Sequence, residues 1–195
     1  MERNRLSIPA ALLLVATVAG GQTNRPDNHE QELLRLISDL KDQEAETRVP
    51  RLGYDADGNV VYVALTSERA TDENVRLLPR FSHLSRVWIH CPRKPISPEA
   101  FASLSKIGEL EELRIDNVSV DLSGTAYGST LAKIETLKSL HVMWSRVDRE
   151  FLFTLTRLPG LKHLSIRSTK RWTTRTSASC AGAAGWRSWT CTRRR

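Results

Sequence analysis

Leu110-Glu111-Glu112-Leu113-Arg114-Ile115 carries apolar side chains at its first, fourth and sixth positions. The same spacing recurs at Val60/Val63/Leu65, Leu84/Val87/Ile89, Leu137/Leu140/Val142 and Leu161/Leu164/Ile166, with first positions at 60, 84, 110, 137 and 161. The closing alternation of each hexad is the pattern of a strand with one buried face. Working outward, apolar residues precede most hexads at spacings of five, three and three. They are Ala70, Val75, Leu78 and Phe81 before Leu84, then Ile96, Phe101, Leu104 and Ile107 before Leu110, and Val147, Leu152, Leu155 and Leu158 before Leu161. Spacings of three mark one face of a helix, so each unit reads as a short helix followed by a short strand. Thr71-Asp72, Ser97-Pro98-Glu99 and Asp148 supply capping chemistry at the helix starts. The unit before Leu137 fits least well. Ser123 and Gly128 occupy apolar slots, only Leu131 and Ile134 fit, and an insertion within 120–129 would account for the mismatch.

One such unit cannot bury its apolar face alone, so copies must stack. These residues resemble the leucine-rich repeat family, whose L-x-x-L-x-L hexad is matched five times across roughly residues 53–169. The resemblance, to exported bacterial members, implies an α/β fold. That fold is a right-handed leucine-rich repeat solenoid, with the parallel sheet on its concave side and short helices on its convex side. The Asn or Cys that the family carries after the hexad is here Glu68, Pro92, Val118, Ser145 and Thr169. No asparagine ladder seals the turn, and the resemblance is to variants with a helical convex side and a looser turn.

Residues 1–21 have arginines at 3 and 5, an apolar run from Ile8 to Val18, and small residues Val18 to Gly21. That is the layout of a signal peptide, because the run falls short of the ~20 apolar residues of a spanning helix. An exported, periplasmic or extracellular protein without a stable membrane span is expected. Residues 22–52 form a polar segment with Leu33, Leu34, Leu36, Ile37 and Leu40 at helical spacing, stopped by Pro50. Asp27 or Asn28 could cap this helix, which either binds a partner or, as favoured here, covers the open first repeat. Asp55-Ala56-Asp57-Gly58-Asn59 has the start of a calcium loop, but Val60 and Thr66 stand where Gly and Glu are needed. It reads as a tight turn at Asp57-Gly58 entering the first strand.

Residues 170–195 have the composition of a disordered basic tail, with no acidic residue. Yet Trp172, Cys180, Trp186, Trp189 and Cys191 stand at the apolar slots of one more unit. Trp and Cys codons both begin TG, so a frame starting one base earlier reads NTG at each, which encodes Leu, Val or Met. The tail is therefore read as an out-of-frame sixth repeat, with a frameshift after about residue 170. Net charge is +7, and the tail supplies seven of the basic residues. The remainder holds 22 basic and 22 acidic residues, so the high isoelectric point gives no argument for nucleic-acid binding. Only Cys91 lies among the repeats, so no disulfide framework is indicated.

In each strand the residues flanking and between the last two apolar positions face away from the core. These are Tyr62, Ala64 and Thr66; Arg86, Trp88 and His90; Glu112, Arg114 and Asp116; Ser139, His141 and Met143; His163, Ser165 and Arg167. The set mixes aromatics, Met and paired charges, the composition of a protein- or peptide-binding face, with Trp88 as the expected anchor. His90, His141 and His163 fall in different columns and do not make a metal site. Alternation along the strand sends Cys91 to the face opposite His90. The sequence holds no G-x-S-x-G elbow, P-loop, H-E-x-x-H or Cys pair, so no enzyme, metal or cofactor is expected. The leading reading is a monomeric, non-enzymatic leucine-rich repeat scaffold that binds another protein, a peptide or a surface polymer. The alternatives are a truncated, frameshifted fragment with no retained activity and, behind it, a binder of nucleic acid or acidic surfaces through the basic tail.

Overall fold

The structure, a computed structural model, describes residues 28–47, 50–116, 122–123, 125–167 and 188–191. The expected signal peptide, and most of the tail after residue 167, lie outside these residues.

The first element is α1, Asn28–Thr47. Its narrow apolar stripe buries Leu36 and Leu40 and half-buries Leu33 and Ile37 against the core, while Leu34 faces solvent. Glu44 Oε2 accepts a hydrogen bond from the Arg51 amide at 3.2 Å, which ties the helix end to the chain that follows. That chain forms β1, Leu52–Tyr54, a strand the hexad pattern did not predict, paired antiparallel with β2, Val60–Thr66. The turn between them is organised by Asp55. Its Oδ1 accepts from the amides of Asp57 (2.9 Å) and Asn59 (2.8 Å), its Oδ2 accepts from Asn59 Nδ2 (2.9 Å), and Gly58 supplies a φ of 84°. Both carboxylate oxygens are thus occupied by the turn itself.

Six strands run parallel in chain order: β2, β3 (Arg86–His90), β4 (Glu112–Asp116), β5 (Ser139–Met143), β6 (His163–Arg167) and β7 (Ser188–Cys191). The register never slips between them. Val63, Val87, Leu113, Leu140 and Leu164 align in one column, and Leu65, Ile89, Ile115, Val142 and Ile166 in a second, each of them 2 % exposed or less. The next positions in these columns belong to Trp189 and Cys191, the slots their spacing had assigned them. Ser188–Cys191 therefore depart from the expectation of a tail without structure. Backbone bonds repeat with the strands. Ser85 O accepts from the amides of Glu111 and Glu112, Glu111 O from those of Lys138 and Ser139, and Lys138 O from those of Lys162 and His163.

The connecting segments form α2 (Asp72–Leu77), α3 (Pro98–Ser103), α4 (Thr125–Leu131) and α5 (Arg149–Leu155). Thr71, Ser97 and Asp148 cap three of them, accepting from the amides of Asn74, Ala100 and Phe151. Asp72 also reaches forward to the next cap, its Oδ1 accepting from the Ser97 amide (2.8 Å) and its Oδ2 from Ser97 Oγ (2.5 Å). The weak third unit has a structural explanation. Leu122, one position before the expected slot at Ser123, is fully buried in the core. Gly128 lies where α4 meets α5: a Cβ there would stand 2.5 Å from Thr154 Oγ1 and 2.8 Å from Thr154 Cβ. The fold is α/β, an open and mostly parallel sheet whose two apolar columns share one core with the helices. Among the described residues, no helix is long and apolar enough to cross a membrane.

Candidate functional site

The alternate strand positions form three further columns on the other face of the sheet. Tyr62, Arg86, Glu112, Ser139 and His163 make the first; Ala64, Trp88, Arg114, His141 and Ser165 the second; Thr66, His90, Asp116, Met143 and Arg167 the third. Every predicted binding residue thus falls on one face, and the three histidines occupy different columns.

A cluster around Trp88 organises the centre. Its Nε1 donates to Asp116 Oδ2 at 2.9 Å, and Arg114 Nε donates to the same oxygen at 2.7 Å. The Arg114 guanidinium lies 4.6 Å from the Trp88 ring centroid, and the His90 ring packs at 5.2 Å on a 49° tilt. In the first column Arg86 stands over Tyr62 at 5.5 Å. Each such cation–π contact is worth about 0.5–2 kcal/mol, depending on desolvation. Burial holds the Tyr62 phenol above its ordinary value, against the opposing pull of the Arg51, Arg114 and Arg86 guanidiniums. Farther along, His141 Nε2 is 3.0 Å from Ser139 Oγ and 3.9 Å from Glu112 Oε1.

Three residues expected on the exposed face are buried instead. Asp116 is 1 % exposed: its short side chain sits beneath two long ones, Trp88 from β3 and Arg114 from its own strand. It serves as the acceptor that fixes the cluster and is not a presented acid. Ala64 and Thr66 are also buried, and Thr66 Oγ1 lies 3.4 Å from Gln43 Oε1 of α1, so the helix covers that corner. Arg86, His163 and Arg167 are exposed, whereas Tyr62, Trp88, His90, Glu112, Arg114, His141 and Met143 are half-buried.

Cys91 also departs from expectation. Alternation would send it away from His90, yet its Sγ lies 3.2 Å from His90 Nε2. The cause is a backbone φ of 49° at Cys91, a left-handed conformation that ends the strand pattern at that residue. Ser67 and Trp144, the residues after β2 and β5, adopt φ values of 49° and 54° at equivalent places. None of the three is Gly or Asn, so the sequence carried no signal for this turn. Among the described residues, no three His, Cys, Asp or Glu side chains group as a metal ion would need.

No family model matches the chain, and no curated protein matches it.

Proposed function

We propose that the chain is a non-enzymatic leucine-rich repeat scaffold that binds a protein or peptide segment through the concave face of its sheet. The observation that carries this reading is the set of Tyr62, Arg86, Trp88 and Arg114 across three adjacent strands, of which Trp88 and Arg114 are tied down by buried Asp116 and Arg86 stands over Tyr62. Trp, Tyr and Arg dominate binding energy in protein interfaces. Trp88 and Arg114, already fixed by hydrogen bonds, lose less side-chain entropy when a partner arrives. The solenoid reading rests on the five hexads and on the constant strand register. Right-handed crossovers are the expected connection between parallel strands. Residues 1–21 support export to a periplasmic or extracellular space, where the scaffold would act as a monomer.

Selection from a random peptide display library on the full chain tests the proposal. Enriched peptides should bind the wild type and weaken about tenfold or more on Trp88→Ala, as expected of a central anchor. Arg86→Ala, which alters an exposed side chain, guards against a misfolded Trp88 variant. No enrichment, or peptides indifferent to both substitutions, would overturn the binding reading and favour an inactive fragment.

A further inference from the structure

We propose that the segment bound on the open face of the sheet is acidic, a peptide whose carboxylate docks on Arg86 beside Tyr62. The inference rests on the binding reading above and deepens it by naming the chemistry of the partner.

Charge on this face is unevenly matched. Its two acids are Glu112 and Asp116, and Asp116 is 1 % exposed and already accepts from Trp88 and Arg114. Glu112 Oε1 stands 3.9 Å from His141 Nε2. Arg86 is the neighbour of Glu112 in the β3–β4 register, yet it forms no ion pair among the described residues. Its guanidinium lies over the Tyr62 ring instead, 5.5 Å from the centroid. An exposed guanidinium held by a ring keeps its N–H fork for an incoming carboxylate.

A buried cation lies behind this position. Arg51 accepts through its carbonyl from the Ala64 amide, which sets it beside the second column, and it is 9 % exposed. Its Nε has no hydrogen-bond partner, its Nη2 reaches Thr47 Oγ1 at 3.5 Å, and among the described residues its guanidinium has no ion pair. Glu44 spends Oε2 on the Arg51 amide. Buried charges are ordinarily paired, because an unmatched charge out of water is costly. Tyr62 marks where the positive charge converges. Burial raises its phenol, and Arg51, then Arg114 and Arg86, pull against that rise. Three guanidiniums therefore act on one hydroxyl, with Glu112 alone acting the other way. A carboxylate arriving beside that hydroxyl meets the field of all three, and complementary charge of this kind sets partner choice.

The rings favour a peptide over a nucleic acid. Single-stranded bases bind by stacking on aromatic side chains. Here Arg114 already lies over Trp88, with His90 packed against it, and Arg86 lies over Tyr62. Outside the basic tail the 22 basic and 22 acidic residues also leave no net field to draw in a polyphosphate. One carboxylate meeting a local cluster needs neither.

The test takes the peptides enriched on the full chain from the random display library. The inference expects them to be rich in Asp and Glu. The tightest is then synthesised twice, once as selected and once with its Asp and Glu replaced by Asn and Gln, and both are titrated into the wild type, Arg86→Glu and Arg80→Glu. Arg80 is exposed in the segment between α2 and β3, so its reversal changes net charge equally without touching the face. The amide peptide on the wild type, and the acidic peptide on Arg86→Glu, should each weaken about tenfold or more, with Arg80→Glu within about twofold of wild type. A peptide with Lys at the critical acidic position should regain affinity for Arg86→Glu, which also shows that this variant is folded. Neutral or basic peptides that still depend on Trp88 would overturn the inference and leave the binding reading standing, whereas no enrichment would overturn both. Equal losses in Arg86→Glu and Arg80→Glu would mean bulk attraction, to the basic tail above all, and would overturn it. So would a single-stranded oligonucleotide that displaces the peptide and loses affinity in Arg86→Glu.

Discussion

The indole Nε1 of Trp88 donates to Asp116 Oδ2 at 2.9 Å, a bond from β3 to β4 between residues 28 apart in sequence. Arg114 Nε shares that oxygen, so one buried carboxylate positions the two side chains at the centre of the open face. The Arg114 guanidinium in turn lies over the indole ring it is bonded beside.

Asp116→Ala should therefore lower stability by about 1.5–3 kcal/mol, the usual worth of a hydrogen bond to a charged group, here the carboxylate that accepts from Trp88 and Arg114. Arg86→Ala, at an exposed position of the same face, should shift it by less than about 0.5 kcal/mol. Urea unfolding of the two variants beside the wild type separates these outcomes.

Gly128→Ala adds a methyl group where Thr154 Oγ1 would stand at 2.5 Å and the Phe151 carbonyl oxygen at 3.3 Å. Alanine is the better helix former, but by only about 1 kcal/mol. Overpacking at a helix–helix contact costs about 1–3 kcal/mol, so net destabilisation is expected. Combining it with Thr154→Ala should recover part of the loss, and a double-mutant cycle measures the coupling.

Ser97→Ala should cost more than Thr71→Ala. Thr71 only caps α2, at about 1 kcal/mol, whereas Ser97 caps α3 and also donates to Asp72 at the start of α2. Thermal unfolding of both variants checks the order. Equal losses would mean the link from Asp72 to Ser97 contributes nothing.

How much of this was legible beforehand depends on how local the determinant is. The strands β2 to β6 follow from apolar residues that alternate over five positions, and Thr71, Ser97 and Asp148 announce their helices through backbone-accepting side chains. β1 offered only Leu52-Gly53-Tyr54, too short for a period to register. The third unit misled because its core residue is Leu122 and not the residue at 123, a slip of one position that fixed spacing does not forgive. At the site, the columns are a local property and were readable. The burial of Asp116 is not, since it is set by Trp88 reaching across from another strand. Nor is the approach of Cys91 to His90, which depends on a left-handed backbone at a residue type that does not favour it.

The Asp55 turn should respond to acid. Hydrogen bonds from the Asn59 side chain, then from the Asn59 backbone, hold the Asp55 carboxyl below its ordinary value of 3.8. A depressed carboxylate contributes stability that is complete above the unfolded value and is lost as pH falls through the lower folded one. The wild type should therefore lose hairpin stability below pH 3.8, and Asp55→Ala should show a smaller acid-dependent loss. Denaturant midpoints of the two proteins, followed from neutral pH into the acid range, provide the comparison.

The most direct test of the binding face is calorimetric titration of a display-selected peptide into the wild type, Trp88→Ala and Phe153→Ala. Phe153 is 63 % exposed on α5, so its variant controls for a contact made by the helices. The account predicts that Trp88→Ala weakens affinity by about tenfold or more, equivalent to about 1.4 kcal/mol, with Phe153→Ala unchanged. Full affinity in Trp88→Ala together with a loss in Phe153→Ala would contradict it.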